Sequence, residues 1–64
     1  MFRMLKISDT LYIHTRFIKK VYYCVVDKHR VMIDVQTTDI IFSEHNTKEE
    51  ALESLEKLIR MIDQ

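Results

Sequence analysis

Val21-Tyr22-Tyr23-Cys24-Val25-Val26, Asp27-Lys28-His29-Arg30 and Val31-Met32-Ile33-Asp34-Val35-Gln36 together decide the fold. Two runs rich in β-branched and aromatic residues flank a polar tetrad, which is the pattern of two strands and the turn between them. In the second run Val31, Ile33 and Val35 fall on one face and Met32, Asp34 and Gln36 on the other, so one face packs in a core and the other is wetter. The first run does not alternate: Val21, Tyr23 and Val25 oppose Tyr22, Cys24 and Val26, and both sets are apolar. A strand apolar on both faces is expected to be central and covered on two sides, by a helix or by a second subunit.

The chain has no Gly and no Pro, so its other turns are marked by Asp, Asn, Ser and Thr. Ser8-Asp9-Thr10, Thr37-Thr38-Asp39 and residues 44–47 divide the flanking sequence into further short pieces. Strands are expected over residues 2–7, 11–14, 21–26, 31–36 and 40–43, a meander of four or five that can curl toward a small open barrel. Between the second and third, Thr15-Arg16-Phe17-Ile18-Lys19-Lys20 is expected to make a helical turn with Phe17 and Ile18 dropping inward.

The period changes after residue 47. Leu52, Leu55, Leu58, Ile59 and Ile62 recur at three- and four-residue spacing, and Ala51 extends the stripe, which predicts an amphipathic helix over residues 47–63. Thr47 followed by Glu50 is a capping box, with Asn46 the neighbouring cap candidate. Glu49 and Glu50 near the start and Lys57 and Arg60 near the end suit the helix dipole, and Glu53–Lys57 and Glu56–Arg60 have ion-pair spacing. The stripe is explained by packing on the sheet; a coiled-coil-like dimer seam is the other use such a stripe has. The expected class is therefore α+β in a single domain, residues 1–64: a small antiparallel meander over 1–43 packed by one C-terminal helix over 47–63.

The 64 residues, 47% of them hydrophobic, suffice to fold but not to fold comfortably. A chain of this size buries only about 60% of the surface its unfolded form exposes, so its core is marginal alone. Cys24 is the only cysteine and has no internal disulfide partner, which fits a reducing compartment; a cytoplasmic location is expected. Residues 1–9 carry charges too closely spaced for a signal peptide, and the longest uncharged apolar run, 21–26, is far short of the ~20 residues that cross a bilayer. No membrane association is expected.

Phosphate-cradling loops need glycine, which this chain lacks. Cys24 sits mid-strand in an apolar run, where a thiol is a small hydrophobe rather than a nucleophile, and His14, His29 and His45 fall in no metal-ligand spacing. The carboxylates concentrate on the helix as a solvated face. No catalytic residue, cofactor or metal is predicted, and the chain is read as non-enzymatic.

Charge is the feature that rises above background. Residues 1–30 hold Arg3, Lys6, Arg16, Lys19, Lys20, Lys28 and Arg30 against Asp9 and Asp27, a balance of +5, and residues 31–64 carry the matching −5 beneath a net charge of zero. If those seven basic residues share a surface with Tyr12, Tyr22 or Tyr23, phosphate contact and base stacking follow, and the chain is a nucleic-acid-binding regulator. The leading expectation is different: a self-associating interaction or adaptor module, with a homodimer or another protein covering Tyr22, Cys24, Val26 and Met32.

Leu11-Tyr12-Ile13-His14-Thr15-Arg16-Phe17-Ile18-Lys19-Lys20-Val21, followed by a hairpin and the Thr47-Lys48-Glu49-Glu50 helix start, resembles the short flagellar-operon proteins of the FlbD-like family. The likeness spans about residues 4–60, with His14 standing where that family tends to have Asn. It implies a small sheet followed by a helix and a regulatory or assembly role rather than a reaction. It carries over no catalytic residue.

Overall fold

The computed structural model describes residues 4–63. Five strands and a helix follow one another: β1 (Met4–Ser8), β2 (Leu11–His14), a 3-10 turn (Thr15–Phe17), β3 (Ile18–Val25), β4 (His29–Val35), β5 (Thr38–His45) and α1 (Lys48–Asp63). The class is α+β, as the alternation and the helical stripe imply. The strands form two open antiparallel sheets, β1-β2 and β3-β4-β5, rather than one meander or barrel. The break has a local cause: the 3-10 turn lies between β2 and β3, which do not pair. His14 Nδ1 accepts from the Arg16 amide at 3.4 Å and caps that turn.

Several expectations need correction. Phe17 is exposed rather than turned inward, whereas Ile18 is half-buried and already belongs to β3. The apolar run at 21–25 belongs to an edge strand; the central strand is β4. Val26 lies beyond β3 in the turn and is 66% exposed, so it shares no strand face with Tyr22 and Cys24. The β5 strand runs from Thr38 to His45, longer than the expected 40–43. Phe2 and Arg3 lie outside the described residues.

The turns are made without glycine, and no described residue has positive φ. Ser8 and Thr10 close the β1-β2 turn through the Ser8 hydroxyl, which accepts from the Thr10 amide at 3.4 Å. Bulges at Lys19 in β3 and Phe42 in β5 adjust the register of the larger sheet. The extra residue at Phe42 lets Ile40 and Ser43, opposite Ile33 and Val31, face the same side, which strict alternation cannot do for residues three apart.

One face of β3-β4-β5 supplies the core. Val31 and Ile33 are fully buried there with Ala51 and Leu58 of α1, and Leu5 of β1 joins them. Ile18, Val21, Tyr23, Val35 and Phe42 pack against this cluster. At the helix start, Thr47 Oγ1 accepts from the Glu50 amide at 3.2 Å, which is the capping contact expected of that spacing. The helix begins beyond the His45 end of β5, while Ile59 and Ile62 line a groove with Ile18 and Val21, so α1 runs antiparallel to β3. Among the described residues the ion pairs that close are Lys6–Asp9 and Arg30–Glu44; Glu53–Lys57 and Glu56–Arg60 stay apart. Exposed helical pairs gain little against the entropy of holding two long side chains.

Candidate functional site

The face of β3-β4-β5 turned away from α1 carries three cross-strand rows. The pairing sets Lys20 beside Asp34 and Asp39, Tyr22 beside Met32 and Ile41, and Cys24 beside Arg30 and Glu44. The middle row is apolar across all three strands. None of Tyr22, Cys24, Met32 and Ile41 belongs to the core cluster, and Ile41 is 43% exposed. Three of the four residues expected at a partner surface, Tyr22, Cys24 and Met32, are thus brought onto one face, and only Val26 is elsewhere. Ile41 completes the row. Its place is hidden in the sequence because the bulge at Phe42 destroys the alternation that would have revealed it.

Charges bracket the apolar row and are mostly committed to one another. The Tyr22 hydroxyl donates to Asp39 Oδ2 at 2.8 Å, reaching diagonally across the central strand. That hydrogen bond favours the neutral phenol and, with smaller contributions from desolvation and nearby negative charge, pushes its pKa up to about 12. Lys20 Nζ stands 5.3 Å from the centre of the Tyr22 ring, a cation–π contact. At the other end Arg30 Nε donates to Glu44 Oε2 at 2.7 Å. The free thiol of Cys24 is half-buried beside this pair.

The basic residues do not gather in the same way. Lys20 and Arg30 share the outer face but sit four β4 positions apart, roughly 14 Å by strand rise, with Asp34, Asp39 and Glu44 among them. Lys6 pairs with Asp9 at 3.4 Å on the other sheet. Arg16 lies over the Phe17 ring at 5.5 Å, and Lys28 is in the β3-β4 turn. Lys19 occupies the β3 bulge, facing the helix end. Arg3 is outside the described residues.

A second constellation was not anticipated. Ser43 and Ser54 share a hydrogen bond of 2.7 Å between β5 and α1, and His45 Nε2 approaches the Ser43 hydroxyl at 2.9 Å. This chain ties the helix to the sheet, and the sequence signal for it is only the i,i+2 spacing of Ser43 and His45. On the same face the Tyr23 hydroxyl lies 2.7 Å from His29 Nδ1, with the two rings stacked. A concavity of about 530 Å³ lies between Met4, Tyr12, Phe17 and Val35 and is walled mainly by apolar side chains. Among the described residues no three His, Cys, Asp or Glu side chains are grouped to hold a metal ion, and no helix is long and apolar enough to cross a membrane.

The chain matches no family model, no curated protein and no solved structure.

Proposed function

We propose that the chain is a small non-enzymatic interaction module that self-associates and presents the outer face of β3-β4-β5 to a protein partner. The observation that carries this reading is the Tyr22–Met32–Ile41 row with Cys24 beside it, apolar across three strands and left uncovered by the helix. Solvated sheet faces ordinarily alternate to polar residues, whereas an apolar centre with a charged rim is the anatomy of a protein interface. The charged groups at both ends, largely satisfied within the chain, keep that face soluble while free. A regulatory or assembly role of this kind is also what the resemblance to the flagellar-operon proteins implies.

The same arrangement argues against phosphate recognition as the main activity. A nucleic-acid surface needs uncompensated cations close together, and here Arg30 and Lys6 are paired with carboxylates while Lys20 sits opposite Asp34. Sedimentation mass measured across concentration, with retention of random DNA and RNA followed at low and high salt on the same sample, tests the proposal. A mass that rises with concentration, without nucleic-acid retention, is expected. A monomer throughout, or salt-sensitive retention of DNA or RNA, overturns it.

A further inference from the structure

We infer that His29 and His45 form a two-histidine site for a divalent ion of the zinc, copper or nickel type, on the helix side of the larger sheet. The two residues are far apart in sequence, so no ligand spacing announces them. The register brings them together: His29 opens β4 and stands directly opposite His45, which closes β5. Directly opposed residues of an antiparallel pair share a face and hold their Cβ atoms about 4.5 to 5.5 Å apart, within the span that one metal ion bridges. Their face is that of the buried Val31, two positions along β4. Both histidines are half-buried there.

Each ring has one nitrogen engaged and one open. His29 Nδ1 lies 2.7 Å from the Tyr23 hydroxyl, and His45 Nε2 lies 2.9 Å from the Ser43 hydroxyl. Neither His29 Nε2 nor His45 Nδ1 has a hydrogen-bond partner among the described residues. A metal-binding imidazole is ordinarily oriented by a hydrogen bond from its second nitrogen, which fixes the tautomer and leaves the lone pair on the first. Tyr23 and Ser43 stand where such orienting groups belong. With their oxygens accepting from His29 Nδ1–H and His45 Nε2–H, the lone pairs lie on His29 Nε2 and His45 Nδ1, the two open atoms. Ser43 then gives its own hydrogen to Ser54, 2.7 Å away, and stacking on the Tyr23 ring steadies the His29 imidazole.

Donor chemistry selects the ion. Imidazole nitrogen suits Zn²⁺, Cu²⁺ and Ni²⁺, whereas Mg²⁺ and Ca²⁺ take oxygen ligands. Among the described residues no third His, Cys, Asp or Glu side chain joins the pair, so water completes the coordination and the ion is an exchangeable one rather than a closed structural centre. The surroundings favour a cation. Beside His45 a concavity of about 450 Å³ is lined by Glu50, Glu53 and Ser54 with Lys57, two carboxylates against one ammonium. An ion held here clips the start of β4 to the end of β5 and, through Ser43 and Ser54, to α1. The outer face of the sheet stays uncovered, so the site and the interaction surface stand or fall separately.

Zn²⁺ alone, titrated into the full reduced chain in a non-coordinating buffer and followed by calorimetry, tests the site. One ion per chain is expected, not displaced by Ca²⁺ or Mg²⁺. His29→Gln and His45→Gln are each expected to weaken binding about tenfold or more, since losing even an orienting partner ordinarily costs that much. His14→Gln/Cys24→Ser, which removes the remaining imidazole and the thiol, is expected to leave the affinity unchanged. A second reading needs no variant: substoichiometric Ni²⁺ added to the wild-type chain is expected to broaden the amide resonances of residues 29 and 45 before any others. No Zn²⁺ binding, one ion per two chains, an affinity unchanged in either single histidine variant, loss of binding in His14→Gln/Cys24→Ser, or broadening centred on His14 or Cys24 overturns the site.

Discussion

Replacing Leu58 by Ala probes the core and the association together. Leu58 is fully buried on the face of α1 that meets Val31 and Ile33. Trimming the isobutyl side chain to a methyl removes three carbons, about 2.4 kcal/mol at the usual value per buried methylene, and the cavity left behind brings the expected cost to about 3 kcal/mol. Domains of this length have only roughly 3 to 10 kcal/mol in total at ordinary stability per residue. With a urea slope of about 1 kcal/mol per molar for so small a chain, the midpoint moves down by about 3 M, enough to leave the dilute variant substantially unfolded. Mass action then offers a partial rescue: if the folded state is a dimer, a roughly hundredfold rise in concentration stabilises it by about 2.7 kcal/mol per dimer, or about 1.4 kcal/mol per chain. Urea melts of wild type and Leu58→Ala, followed by far-ultraviolet circular dichroism at two such concentrations, should therefore show both midpoints rising with concentration. Midpoints independent of concentration would refute the association, and a cost below about 1 kcal/mol would refute the placement of Leu58 at the centre of the core.

Two smaller perturbations check local geometry. Thr47→Ala removes the hydroxyl that accepts from the Glu50 amide and should cost about 1 kcal/mol in urea melts, with Thr47→Ser recovering most of it. For Tyr22, the folded-state pKa is raised to about 12, so the Asp39 contact stabilises the fold fully below the unfolded phenol value of about 10, and that contribution is lost as pH rises from there through about 12. Tyrosinate absorbance in a Tyr12→Phe/Tyr23→Phe background should show Tyr22 titrating late, and Asp39→Asn should bring its titration back toward the ordinary range.

Much of this architecture was legible because it rests on periodicity. The stripe from Ala51 to Ile62 gave the helix and the alternation of residues 31–36 gave β4, since both elements bury one face only. The Thr47–Glu50 spacing located the helix start to within a residue. What periodicity cannot report is which strands pair. The run at 21–25 reads as a central strand because its composition records what touches its faces, while its position is fixed by hydrogen bonding to neighbours, and that depends on the turn at Thr15–Phe17. The outer surface was legible in part for the same reason. Tyr22 and Met32 follow from alternation within their own strands, but Ile41 stands behind a bulge that shifts the parity of β5, and Val26 was placed on the face only by extending β3 one residue too far.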